Sequence, residues 1–454
     1  MTEKELMKEY ASKNPGSRAL WGSASDVIPG GITANVKFFA PFPLFMEKAH
    51  GACIYDADGH EYIDYVLSYG PLILGHGRRE IICEMDRYIS EHGTMLYGAP
   101  HAGESAFAQL LKRYYPSLEE IRYTNSGTEA TLLAIRTAFA FTGKYKIAKF
   151  EGHYHGGYNE VLVSINPDVR KAGDARTPVG LRESAGISDE QMKNTVILPF
   201  NDLDAVTEIL TANKDEIAGV ILEPMFGGTI PATKEFMSGI RSLTEKLGIL
   251  LIMDEVKTGF RVGMTGAQGY YGIRPDLTTL GKIIGAGLPV GVLGGRRDIM
   301  ELAAPNGSDI LDAGNRGASA AEILYHSGTY NGHPMILAMG KKTIDILEDE
   351  LEPLISRTEY LKKELHRIFA SHGVKILTPG AGAMFNICIT EQEEILTYRD
   401  LMKCDFDLRK KLDYALLLNG IYNKPGNRFN LSTAHDRSII DHTLEAFEKA
   451  WKRI

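Results

Sequence analysis

The chain is 454 residues long, with 50 Lys and Arg against 58 Asp and Glu and a net charge of −8. Hydrophobic residues make up 44% and charged residues 24%, enough to bury a large core and too apolar for a disordered chain. The acidic balance excludes a nucleic-acid protein, which needs a basic excess to neutralise phosphates.

In chain order, the first forty residues predict a helix followed by an arm. MTEKELMKEYASKNP is charged at every turn and is no signal peptide. Pro29-Gly30-Gly31 breaks the helix, and FFAPFPLF at 38–45 is too proline-rich for a central strand. GACIYDADGHEYIDYV then reads as a hairpin with Asp58-Gly59 at its turn. From about residue 100 to 300 the pattern is strand, turn, helix, repeated. Strands are predicted at 121–124, 146–150, 195–200, 218–224, 249–255 and 277–280, with helices over 128–142, 203–213 and 234–247. This alternation specifies an α/β fold with a mostly parallel sheet. Beyond 335 the chain turns helical, notably over 347–373, with short strand-like pieces in VKIL and AMFNICIT. We therefore expect an N-terminal helix, arm and hairpin over 1–60, a large α/β domain over 61–335 and a smaller α+β domain over 336–454. Apolar stretches such as 249–253 are far too short to span a membrane. Cys53, Cys83, Cys388 and Cys404 are widely spaced and suggest free thiols in a reducing compartment, so a cytoplasmic location is expected.

Ligands of open α/β sheets sit at the carboxyl ends of the strands, and four such ends carry chemistry. Asn125-Ser126-Gly127-Thr128 opens a helix with hydroxyls and a glycine, either a phosphate cradle or an ordinary N-cap turn. Asp254 closes an apolar strand, where a carboxylate needs a cation or hydrogen bonds; a structural ion pair would serve equally. Lys282, in TTLGKIIGAGLPVG, lies among apolar residues and glycines, where desolvation favours a neutral amine able to form a Schiff base; the alternative is a lysine snorkelling from a strand end. A Walker loop fails there, because Asp276 and Ile283 occupy required Gly and Ser/Thr places, and no G-x-G-x-x-G occurs in the chain. Gly152-His153-Tyr154-His155-Gly156 offers an aromatic that can stack on a planar ring; its two histidines lack a third metal ligand at sensible spacing, so no metal is expected. Jointly these features describe pyridoxal phosphate, which needs a lysine, a carboxylate for its ring nitrogen, a phosphate cradle and a stacking aromatic.

The set NSGTEA, FEGHYHG, ILEP, MDEVKTGFR, TTLGKIIGAGLPVG, SGTYNGHP and LSTAH resembles class III, fold-type I, pyridoxal-phosphate aminotransferases. The subgroup of glutamate-1-semialdehyde aminomutases is similar through PGG near the start, DYVLSYGPLILGHG, and AMF at 383–385. The resemblance runs from about residue 15 to the end. It implies that Lys282 carries the cofactor and shuttles the substrate proton, Asp254 pairs with the ring nitrogen, Val256 backs the ring and Tyr154 stacks on its other face. It further implies that Ser126, Gly127 and Thr128 hold the phosphate, with Thr329 contributing from the second subunit of a homodimer. Tyr325 matches a family tyrosine at the substrate mouth. Glu223, in ILEP, lies near the cofactor or caps its strand before Pro224.

The chain departs from the aminomutase pattern at the substrate side. Lys37 stands where that subgroup has an arginine for the substrate carboxylate, and a lysine lacks the bidentate fork. Tyr69 replaces a tryptophan, and Asn427 beside Arg428 stands where an acidic residue is expected. The segment 158–194 is longer than the family's active-site loop and is either a mobile lid or a plain surface insertion. The expectation is a ping-pong aminotransferase acting on a small amino carboxylate and an oxo acid, with Lys37 or Arg428 anchoring a carboxylate. Aminomutation and racemisation or epimerisation are the enzymatic alternatives, and a cofactor-bound sensor or inactive paralogue the non-enzymatic one.

Overall fold

The computed structural model describes residues 1–304 and 324–454. Seven segments form its main sheet: β1 (Glu120–Thr124), β2 (Lys146–Phe150), β3 (Thr195–Leu198), β4 (Ile217–Leu222), β5 (Leu250–Asp254), β6 (Leu277–Gly281) and β7 (Gly291–Gly295). Their order across the sheet is β1-β7-β6-β5-β4-β2-β3. The β6-β5, β5-β4, β4-β2 and β2-β3 pairs are parallel, whereas β7 runs antiparallel to both β6 and β1. Every residue of β4, β5 and β6 is buried, and β4 and β5 accordingly read as near-continuous apolar runs rather than alternating ones. Helices Gly127–Thr142, Leu203–Asn213 and Lys234–Leu247 connect the strands, within a residue of the predicted spans. Leu133, Ala134, Ile135 and Ala138 of the first pack into one buried cluster with Ile147, Ile221, Leu250 and Ile252 of the sheet.

Strand β7 has no counterpart among the sequence expectations. Its sequence, GVLGG, lacks the β-branched density of a strand because neighbouring backbone leaves no room for side chains. A Cβ on Gly291 would stand 2.2 Å from the Ser126 carbonyl oxygen, and one on Gly295 2.3 Å from that of Asp276.

This sheet belongs to a unit made of 83–348 and 396–402; 1–82, 349–395 and 403–454 form a second. Within the first, the segment 158–194 is tied down along its length. The Lys149 ammonium donates to the Val163 carbonyl at 2.5 Å, and Glu183 accepts the Ile165 and Asn166 N–H groups at 3.1 and 2.9 Å. Arg399 grips Glu151 through two bonds of 2.9 and 3.0 Å and donates to the carbonyls of Ala172 and Gly173. These bonds favour an anchored insertion over a mobile lid.

In the second unit the predicted hairpin pairs Cys53–Asp56 with Glu61–Asp64, and Gly59 takes φ +84 at its turn. The predicted N-terminal helix is two: Asn14 ends Glu3–Lys13, and Pro15 opens Pro15–Ser25 at the first helical position, where its missing N–H costs nothing. FFAPFPLF forms no strand, although Phe39, Phe42 and Leu44 are buried. The helix predicted over 347–373 spans Pro334–Ser371, with Pro353 inside it, and only its residues from Asp349 onward belong to this unit.

Candidate active site

The carboxyl ends of the parallel strands supply the site, beginning after β1. Ser126 caps the helix Gly127–Thr142: its Oγ accepts the Glu129 N–H at 3.2 Å, while the Glu129 carboxylate accepts the Asn125 N–H at 2.7 Å. First-turn N–H groups have no acceptor within a helix, so this end attracts anions as well as being capped. Gly127 is required by contact: a Cβ there would fall 2.6 Å from Val256 Cγ1. Bare backbone at the helix start therefore lies directly against the residue that follows β5.

Asp254 ends β5 and is 5% exposed. One carboxylate oxygen accepts the Val256 N–H at 3.0 Å and the hydroxyl of Thr279, its register partner on β6, at 3.2 Å. The other lies 2.8 Å from His155 Nδ1. Burial pushes the Asp254 carboxyl up, but the hydrogen bond and charge of His155, the Val256 N–H and the Lys257 charge outweigh it and hold it below the usual carboxylate range. A buried anion is thus maintained at the base of the site.

Beyond β2 the chain turns through Gly152 (φ +87) and presents Tyr154, 45% exposed, before Gly156 (φ +120). The Tyr154 N–H donates to Glu223 at 2.9 Å, and the Lys257 ammonium pairs with the other Glu223 oxygen. His153, fully buried, accepts the Glu223 N–H at 3.0 Å; burial, reinforced by the His155, Lys149 and Lys257 charges, holds its pKa well below the ordinary histidine value. Lys282 begins a 3-10 turn just after β6 with φ +51, left-handed for a residue with a side chain.

These ends converge. A cavity of about 170 Å³ is lined by Ser126, Gly127, Thr128, Tyr154, Asp254, Val256 and Lys282, seven residues anticipated from sequence, together with Thr131, His155, Gly156 and Lys257. Sequence reasoning missed Lys257, and it read His155 only as a poor metal candidate although His155 is the partner of Asp254. The adjacent histidine in HYH was the available signal. Glu223 does not line this cavity; it lies behind Tyr154, bonded to its backbone. Tyr325 and Thr329 belong to the same unit but are exposed and outside the lining. The Tyr325 carbonyl accepts from Arg136 at 2.9 Å.

Lys37, Tyr69 and Arg428 belong to the second unit. Lys37 and Tyr69 line a separate cavity of about 490 Å³, and the Lys37 ammonium donates to Thr33 Oγ1 at 2.7 Å. Arg428 donates to the Tyr69 carbonyl at 3.2 Å, and the Tyr69 hydroxyl donates to the Val36 carbonyl at 2.8 Å. Leu67, Ser68 and Tyr69 all have positive φ (46°, 54° and 66°), a strained left-handed run held where Asp64 accepts the N–H groups of Val66 and Leu67 at 2.8 and 3.0 Å.

The sequence pattern described as Aminotransferase class-III matches residues 36–425. The chain belongs to the class-III aminotransferase family. This class-III aminotransferase is 39% identical over 437 residues to a glutamate-1-semialdehyde 2,1-aminomutase of Methanothrix thermoacetophila, covering 95% of each chain. Among solved structures it matches an omega-transaminase from Sphaerobacter thermophilus (TM-score 0.89, 32% identity, 97% of this chain and 99% of that one). It also matches a β-phenylalanine aminotransferase from Variovorax paradoxus (TM-score 0.84, 31% identity, 98% and 96%). The fold-type I architecture and the use of pyridoxal phosphate follow. The donor set fits that group: a helix N-terminus made of bare backbone for a phosphate, a buried anion for a ring nitrogen, a lysine, and an aromatic and an aliphatic residue on the cavity wall. Among the described residues no helix is long and apolar enough to cross a membrane.

Gly127→Ala in this class-III aminotransferase forces its methyl onto Val256. It is expected to weaken pyridoxal phosphate binding on the order of tenfold, the cost of modest overpacking, with equilibrium dialysis of the apoenzyme as the check.

Proposed function

We propose that the enzyme transfers an amino group between a small amino carboxylate and an oxo acid in two half-reactions at the cavity lined by Lys282. The observation that carries this reading is the convergence of Ser126, Gly127, Thr128, Tyr154, Asp254, Val256 and Lys282, from four separate strand ends, on one cavity. Bound there, pyridoxal phosphate supplies a carbonyl that takes up the amine and a ring that withdraws the electron pair released at the substrate carbon. The chain supplies the rest. Ser126, Gly127 and Thr128 bind the phosphate at the helix N-terminus. Tyr154 and Val256 confine the ring on its two faces and exclude water. Asp254 keeps a proton on the ring nitrogen, and Lys282 holds the cofactor and then carries the proton removed from the substrate carbon. Glu223 supports the cofactor site from behind Tyr154.

For the substrate side we infer that Lys37 or Arg428 anchors a carboxylate, with Tyr69 and Tyr325 shaping its approach. We further infer a cytoplasmic homodimer in which Thr329 of each copy serves the phosphate of the other. A second reading, intramolecular 2,1-aminomutation, is favoured by the 39% identity to the Methanothrix thermoacetophila aminomutase. Lys37, in place of that subgroup's arginine, weighs against it.

Two measurements test the proposal. Borohydride reduction of the holoenzyme followed by peptide mapping should place the cofactor adduct on Lys282; an adduct on Lys257, the other lysine lining the cavity, would overturn the assignment. Single amino acids from a panel of α, β and ω amines of both hands are then added without any acceptor. A donor that leaves as an oxo acid and stores its amine on the cofactor supports transamination. Relocation of the amine within one molecule identifies the aminomutase, and loss of chirality alone the racemase.

A further inference from the structure

The roles assigned above leave one charged side chain of the cavity wall without a task. Lys257 lines the cavity, and only 14% of its side chain is exposed. Its ammonium pairs with Glu223, whose side chain is 3% exposed, and stands 5.4 Å from the centre of the Tyr154 ring. The second Glu223 oxygen accepts the Tyr154 N–H at 2.9 Å and the Gly227 N–H at 3.4 Å. One buried carboxylate is thus bonded directly to the backbone of Tyr154 and, through Lys257, to the face of its ring. Tyr154 needs such support. It sits between Gly152 and Gly156, both with positive φ, and its side chain is half exposed. Val256, which precedes Lys257 in the chain, also lines the cavity and meets the bare backbone of Gly127.

We propose that Lys257 is a positioning residue: paired with Glu223, it holds the Tyr154 ring as one plate of the cofactor slot, while its neighbour Val256 forms the other. This rests on the pyridoxal phosphate site proposed above. Two physical effects act together. A cation within 6 Å of an aromatic face is attracted by the ring quadrupole, more strongly when partly desolvated. The same cation compensates the buried Glu223, which would otherwise be a costly uncompensated charge free to repack the loop that carries Tyr154. A mere counter-ion would need only to neutralise Glu223, whereas this arrangement makes the benefit of Lys257 depend on the ring of Tyr154.

That dependence is the test. Apoenzymes of the wild type, Lys257→Met, Tyr154→Ala and the double variant are titrated with pyridoxal phosphate by equilibrium dialysis, and the induced circular dichroism of the bound cofactor is recorded. Lys257→Met should weaken binding about tenfold and reduce the dichroism, and Lys257→Arg, which keeps a cation able to stack, should restore both. In the Tyr154→Ala background, Lys257→Met should cost nothing further. The same tenfold loss in that background, or wild-type affinity and dichroism in Lys257→Met, overturns the proposal. Melting of the apoenzymes monitors folding. Should Lys257→Met fail to fold, Lys257→Gln, which keeps a hydrogen-bond donor for Glu223 without the charge, carries the same comparison. A wild-type protein that binds no pyridoxal phosphate, or attaches it elsewhere than Lys282, sinks the site itself. A wild type that binds at Lys282 while Lys257→Met is silent sinks only the role of Lys257.

Discussion

Lys282→Ala is expected to lower turnover on the order of 10^4-fold or more and to abolish the visible absorption of covalently held cofactor. The size follows from the loss of two functions at one atom. The Lys282 amine is assigned both the covalent hold on the cofactor and the transfer of the substrate proton, and proton transfer by a positioned side chain alone contributes roughly 10²–10⁴-fold. The fold should survive. Lys282 occupies the left-handed region at φ +51, and the pairing of Gly281 with Gly291 fixes the chain just before it. Alanine has to adopt the same strained backbone, so the substitution removes the amine while adding no new strain. The variant should keep a melting transition close to that of the wild type. Steady-state turnover within tenfold of the wild type would remove Lys282 from the reaction.

The position of Asp254 was legible in the sequence for a physical reason. A buried parallel strand tends to read as an apolar run, so its carboxyl end is marked by the first polar residue after the run. Asp254 stands out in this way, Lys282 as a charge set between LTTLG and IIGAG, and Ser126 through the hydroxyl and glycine that begin a helix. Arg122, Lys149 and Thr278-Thr279 interrupt the run in β1, β2 and β6, whereas β4 and β5 carry the signal in full. β7 does not, because Gly291 and Gly295 are selected by the absence of space rather than by any preference of their own for strand. The missed site residues share a different cause. His155 meets Asp254 only because β2 and β5 flank β4, which brings together residues 99 positions apart. Lys257, in DEVKTGFR, reads as a solvated charge until the fold places Glu223 and the Tyr154 ring beside it. The helix expected over 347–373 already runs through Pro353; what it lacks is the first part of a 38-residue helix that starts at Pro334, the tolerated first position.

Asp254→Asn should cost on the order of 10²–10³-fold in kcat/KM while leaving the chain folded. The carboxylate is nearly isosteric with the amide, and the asparagine oxygen can still accept the Val256 N–H that Asp254 accepts at 3.0 Å. What the amide lacks is charge. In the proposed site the negative Asp254 keeps a proton on the ring nitrogen, and a preorganised charge in a water-poor site is worth several kcal/mol where charge develops. Its effect on pH dependence has a definite sign. Burial alone would raise the Asp254 pKa, but His155, the Val256 N–H and Lys257 together hold it below the ordinary 3.8. A depressed folded value means that the ionised form stabilises the fold fully above 3.8 and that this contribution is lost as pH falls through the folded value. Asp254 is therefore ionised across the whole neutral range and cannot produce an activity limb near pH 6 or 7. The asparagine variant should show the wild-type pH profile at uniformly reduced kcat/KM, and its fold should lose less stability than the wild type on acidification below pH 4. Asp254→Glu, which restores the charge at a shifted position, should recover part of the rate. Recovery by glutamate with none by asparagine assigns the effect to charge, whereas equal loss in both variants assigns it to the geometry of the bonds to His155, Val256 and Thr279.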